Sequence, residues 1–217
     1  MFIENSSPNS SGLTLPVWVA AAARAGVELL IGQPFCSDQK IFGPYHNEVL
    51  SVSVASGALM ADGDQAIAMT CCDSGLNLDL TNGMEIWVSV RFLDELNSSS
   101  LTTPIDSSSW LKLIAGEGVG KNKSFGDLCI SDFAKDLLAS NLRSLVPSDR
   151  ILQLEIIFPK GKQLALRTSN HAFGVVEGLA LIGTQIKAQI SASPDQLDDS
   201  LEKLKKKCNS SLFSGSL

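Results

Sequence analysis

The stretch from Leu15 to Ile31 constrains the fold of this chain more than any other segment. Arg24 and Glu28 interrupt its apolar character, and it falls short of the roughly 20 predominantly apolar residues of a membrane span. A buried amphipathic helix fits instead. Thr14 is suited to cap it, Pro16 is tolerated in its first turn, and Gly32 can end it. The small side chains of Ala20 to Ala23 would let another backbone approach closely.

Beyond that helix the pattern changes period. Val49–Ala55, Gln65–Cys72 and Met84–Phe92 carry strand signals ended by turn residues, and their short connections suggest antiparallel neighbours. Trp110–Ala115 and Ile151–Phe158 read as further strands, separated by a helix over Asp132–Leu145 capped by Ser131. Residues 97–109 are a Ser- and Thr-rich loop, and Pro194–Lys207 is a last helix whose basic end suits its dipole. Strands and helices mix without strict alternation, which predicts an α+β fold with a mixed, mainly antiparallel sheet and packed helices. Residues 1–10, rich in Ser and Asn, are expected to be a mobile arm.

In a chain of 217 residues, 44% apolar and 18% charged composition fits a packed core, and a net charge of −6 argues against a nucleic-acid partner. Positive charge is local, from Arg143 to Arg167, where Arg143, Arg150, Lys160, Lys162 and Arg167 outnumber Asp149 and Glu155. Most of these side chains read as a solvated face. Five cysteines without paired metal spacing indicate reduced thiols in the cytoplasm and no metal centre. No secretory signal is visible.

Two loops carry possible chemistry. Gly116-Glu117-Gly118-Val119-Gly120 follows an apolar strand, as phosphate- or cofactor-binding glycine loops do, but no helix pattern follows it, so a structural turn competes with ligand contact. Asp73 to Gly83 gathers Asp73, Ser74, Asn77, Asp79, Thr81 and Asn82 at strand ends, where such groups position substrates or cap their own turns. His46 and His171 are isolated in sequence, and no nucleophile elbow supports a hydrolase.

Four segments together resemble one family. They are Ser11-Gly12-Leu13-Thr14 with the alanine run, Asp73 to Ile86, Ile114 to Gly120, and Arg167-Thr168-Ser169-Asn170 with Gly174 to Thr184. In this order they are similar to the motifs of the cobalt-precorrin-5B C(1)-methyltransferases, the CbiD family. Departures mark a divergent branch: Leu15-Pro16-Val17 stands in place of a second threonine and a cysteine, Leu76 and Asn77 in place of two acids, and Glu177 in place of a glycine.

The resemblance implies a cytoplasmic enzyme that methylates cobalt-precorrin-5B at C-1, with S-adenosylmethionine as donor. It implies Asp73 and Asp79 as catalytic candidates, and Gly116, Glu117, Gly118 and Gly120 as cofactor contacts. Thr14, Arg24, Asn77, Thr81, Lys160, Arg167, Thr168, Asn170, Gly183 and Thr184 are candidates for the substrate. Residues 11–192 would form the family's first domain, and 193–217 a helix and linker toward a second domain that the chain lacks. A non-catalytic corrinoid-binding domain is the alternative.

Overall fold

The computed structural model describes residues 12–45, 48–75, 80–94 and 110–188. The expected arm, the 97–109 loop, the Pro194–Lys207 helix, His46, Asn77 and Asp79 lie outside the described residues.

Helix α1 spans Leu15–Leu30, with Gly32 left-handed (φ +80°) just beyond its end. Its residues Pro16 to Ala23 are all buried. The close approach foreseen for the alanine run is sharpest one turn later. A Cβ at Gly26 would lie 2.8 Å from Val90 Cγ2, so the glycine lets the helix seat on the sheet at about 1 kcal/mol of helix propensity.

The strands are β1 (Asp38–Phe42), β2 (Val49–Ser53), β3 (Ser56–Leu59), β4 (Gln65–Cys71), β5 (Glu85–Asp94), β6 (Leu111–Ala115), β7 (Lys121–Asn122), β8 (Arg150–Ile157) and β9 (Val175–Val176). Five of them form the main sheet in the order β3-β4-β5-β8-β6, antiparallel except where β6 runs parallel to β8. The fold is α+β, with a mixed, mainly antiparallel sheet. Alternation along β4 and β8 sends Ala66, Ala68, Thr70, Leu152, Leu154 and Ile156 into the core, where β4 faces α1, and Thr70 Oγ1 ties the layers by donating to Trp18 O (3.1 Å). Ile67, Met69, Trp87, Gln153 and Glu155 lie on the opposite face, none of them fully buried.

Four strands were not foreseen: β1, β3 and the two-residue strands β7 and β9. The segment read as one strand, Val49–Ala55, ends at Ser53; β2 pairs with β1, and β3 is the antiparallel neighbour of β4. The short connection therefore links two different sheets. Parallel neighbours need a long crossover, which here contains α2 (Asp132–Leu142), capped by Ser131 as expected and continued by a 3₁₀ turn over Arg143–Leu145. Buried Asn141 on α2 clamps the β1–β2 hairpin: Oδ1 accepts from Phe42 N (2.8 Å), and Nδ2 donates to Phe42 O (2.9 Å) and Leu137 O (2.7 Å). After β8, a short helix α3 (Gly161–Ala165) and a 3₁₀ turn (Asn170–Phe173) lead into β9. The chain then runs back beside Val119, Ile130 and Leu13, each bridged to it.

Candidate functional site

Strand register places the sequence motifs at one rim of the sheet. Cys71 pairs with Glu85, Trp87 with Ile157, and Ala115 with Ile156. The end of β4, the start of β5 and the ends of β6 and β8 therefore share one edge, and Asp73, Gly116 and Lys160 follow directly. The start of α1 joins them, since Leu13 N donates to Asp73 O (3.2 Å).

The two helix starts are linked through Gly183. Ser131 Oγ accepts from Ala134 N as the α2 cap, donates to Gly183 O (2.9 Å), and accepts from Gly183 N (3.3 Å). A Cβ on Gly183 would lie 3.1 Å from the Pro16 ring and 3.6 Å from Thr14 Oγ1. Thr14 does not cap α1 with its hydroxyl, which instead donates to Gln185 O (2.7 Å). The expected cap is thus a clasp on the returning strand. Thr14→Val should lower stability by about 1 kcal/mol through loss of that hydrogen bond, as read by urea denaturation.

The Gly116 loop is tied into the protein by its backbone. Gly116 N donates to Ile156 O (2.8 Å), Gly120 N to Leu179 O (2.7 Å), Phe158 N to Glu117 O (2.9 Å) and Leu179 N to Gly118 O (2.9 Å). Gly118 is left-handed (φ +74°), and a Cβ there would sit 2.0 Å from Phe158 O. A Cβ on Gly161 or Gly178 would lie 2.1 or 1.9 Å from the Gly118 carbonyl oxygen. The glycines thus permit three backbones to touch. Glu117 N–H and Gly118 N–H have no backbone acceptor among the described residues.

The Asp73 loop shows self-capping: Asp73 Oδ1 accepts from Gly75 N (2.8 Å), and Asn82 Oδ1 accepts from Ser74 N (3.2 Å). Thr81 O accepts from Met84 N (2.9 Å), closing the turn before β5. Of the remaining candidates, Lys160 and Arg167 are exposed beyond β8, and Thr184 is exposed beside Gly183. Thr168 Oγ1 donates to Ala165 O (2.8 Å) and accepts from Asn170 N (3.4 Å), so both residues shape the turn after α3.

Arg24 is not brought to this rim. It lies ten residues into the chain from Thr14, about 15 Å along a helix, where Nε pairs with Glu28 Oε1 (3.1 Å) and Nη1 donates to Asn141 O (3.1 Å). Two lysines that were not site candidates in the sequence do belong to the rim: Lys121 Nζ is 2.7 Å from Glu177 Oε2, and Lys162 Nζ is 3.2 Å from Glu117 Oε1. The sequence signals for them were the basic stretch that holds Lys162 and Glu177 standing at a glycine position.

Cys36, Cys71 and Cys129 are free thiols, and the buried Cys72 thiol lies 3.6 Å from Thr81 Oγ1. Burial pushes the Cys129 thiol up from its ordinary value, which keeps it protonated and a poor nucleophile. Among the described residues no three His, Cys, Asp or Glu side chains cluster to hold a metal, and no helix is long and apolar enough to cross a membrane.

The model of one family, CbiD, matches residues 3–189. This chain belongs to the CbiD family. Among the curated relatives of this family member, a protein of Prochlorococcus marinus (strain MIT 9313) is 53% identical over 209 residues, covering 94% of this chain. One of Synechococcus sp. (strain CC9902) is 50% identical over 208 residues, covering 96% of the chain. Both are named cobalt-precorrin-5B C(1)-methyltransferase. The chain spans about half the length of these relatives, 53% and 54%. The crystal structure of the cobalamin biosynthesis protein CbiD from Archaeoglobus fulgidus superposes with a TM-score of 0.58 at 19% identity, covering 91% of this chain and 60% of that one. At that identity the likeness establishes the shared fold.

Proposed function

We propose that the protein to which this chain belongs transfers a methyl group to C-1 of cobalt-precorrin-5B, in the cytoplasm, with the rim described above as one wall of the substrate cleft. The observation that carries this reading is the convergence at one sheet edge of segments far apart in sequence, Gly12–Thr14, the described residues of Asp73–Gly83, Gly116–Gly120 and Gly174–Gly183, in a chain 53% identical to a relative of that name. S-adenosylmethionine, when bound, would supply an electrophilic sulfonium methyl. The protein needs no nucleophile of its own for this, and its task is to orient the ring and exclude water.

This chain's groups suit that task. Lys160 and Arg167 are exposed cations for ring carboxylates. Glu117 N–H and Gly118 N–H can receive an anionic group of the donor. Asp73 keeps one carboxylate oxygen beyond its turn contact with Gly75, so it can accept from a substrate N–H or position a proton. Thr14, Thr168, Asn170 and Gly183 fix the backbone around the cleft, Thr184 adjoins Gly183, and Thr81, Asn77 and Asp79 belong to the Asp73 segment.

The test is mass spectrometry of the corrinoid after incubation of the full-length protein with cobalt-precorrin-5B and S-adenosylmethionine. The expected result is the gain of one methyl group. No gain with folded protein and authentic substrate overturns the assignment, and corrinoid binding without turnover favours a non-catalytic corrinoid-binding role.

A further inference from the structure

Four charges surround the point where the three glycines meet. Glu117 precedes Gly118, Lys162 follows Gly161, and Glu177 precedes Gly178, while Lys121 follows Gly120 on the same loop. The two resulting ion pairs, Lys121–Glu177 at 2.7 Å and Lys162–Glu117 at 3.2 Å, therefore flank one spot just beyond the carboxyl ends of the parallel strands β6 and β8. Ligands of sheets with parallel strands commonly bind at that end. Neighbouring Lys160 is exposed and has no carboxylate within ion-pair distance among the described residues.

Stability does not account for this arrangement. Glu177 is the one non-glycine residue with positive φ (+69°) among the described residues, in a conformation disfavoured by its Cβ. Its return is a half-exposed ion pair, with side-chain exposures of 29% for Lys121 and 55% for Glu177, and pairs of that kind contribute little. The second pair is more exposed still, at 60% and 68%. Such ammonium groups can change partner without a large desolvation cost. A backbone outlier without a stabilising return points to function.

We propose that Lys121 and Lys162 form an exchangeable cradle for a ligand bearing several carboxylates. In the free protein Glu177 and Glu117 occupy the two ammonium groups and hold them at the rim. The ligand's carboxylates take their places on binding, and the displaced glutamates turn to solvent. No bond is made or broken and no proton moves. Ligands without carboxylates cannot displace the glutamates and gain nothing from the lysines, so the cradle selects polyacids over their amides. The identity of the polyacid as a corrinoid rests on the methyl-transfer reading.

The test is calorimetric titration of the full-length protein with three probes: cobyrinic acid, a cobalt corrin with free carboxylates; cobinamide, its amidated counterpart; and benzenehexacarboxylate, a polyacid without a corrin. Glu177→Gln and Glu117→Gln should each tighten both polyacids roughly fivefold at low salt, an effect that fades as salt rises, and leave cobinamide unchanged. Lys121→Met and Lys162→Met should weaken the polyacids by a similar factor. Glu177→Gly, which also frees the backbone, must tighten binding as Glu177→Gln does; a change confined to melting temperature would mark a purely structural residue and overturn the cradle. Polyacid affinity equal in wild type and glutamine variants overturns it too, and leaves the methyl-transfer reading standing if cobyrinic acid binds. Benzenehexacarboxylate responding as expected while neither corrinoid binds supports the cradle and removes the corrinoid. Failure of both polyacids to bind wild-type protein overturns the cradle outright.

Discussion

Gly118→Ala should destabilise the protein by about 4 kcal/mol, the largest loss expected from any single methyl group at this rim. Two costs add. Left-handed backbone is unfavourable by about 1–2 kcal/mol for an L-residue, and overpacking adds about 1–3 kcal/mol, because the new Cβ would begin 2.0 Å from Phe158 O. Gly126 separates the two: it shares the conformation (φ +76°), but nothing lies within 4 Å of its Cβ position. Gly126→Ala should therefore cost about 1 kcal/mol. Equal urea-unfolding free energies for the two variants would show that the contact of Gly118 with Phe158 relaxes without cost.

The second large effect belongs to Asn141. Its fully buried amide satisfies both Phe42 N–H and Phe42 C=O. Asn141→Ala removes three hydrogen bonds and strands polar backbone groups, at about 1–3 kcal/mol each when buried, so a loss of about 3 kcal/mol is expected. Asn141→Asp should be no better, since a carboxylate cannot donate to Phe42 O or Leu137 O. Calorimetric melting of both variants checks this. A drop below about 1 kcal/mol would mean that water reaches Phe42 and replaces the amide.

Helix α1 was readable in the sequence almost to the residue, because its signals are local: an apolar run, Pro16 near its start, Gly32 after its end. Strands β4, β5, β6 and β8 were readable for the same reason. Strand β1 was not. Its inward residue Gln39 is polar and buried by a bond to Glu28 Oε2 (2.9 Å), a partner on another element, so no apolar period marks it. Strand β3 was hidden by running on from β2, with only Val54 and Ala55 to mark the change of sheet. At the rim, the motif order showed which segments matter but not what each glycine does. That depends on backbones brought together from residues 118, 161 and 178. Nor could spacing show that Arg24 is committed to Asn141 O and Glu28. Glu177 was marked only as an oddity, and its left-handed backbone is a tertiary fact.

The returning segment from Leu179 to Ala188 sets a clock on biogenesis. Thr14 N donates to Ile186 O (2.9 Å) and Ala188 N to Gly12 O (2.7 Å), so the first described residues are completed by the last. Ser131 meets Gly183 in the same strip. While the chain is being synthesised, α1 can seat on β4 and β5 early, but it has neither its clasp nor a finished rim until those late residues emerge. Contacts of such sequence separation slow folding and lengthen the life of exposed intermediates. Nascent chains halted before Gly183 should therefore be the ones that chaperones hold.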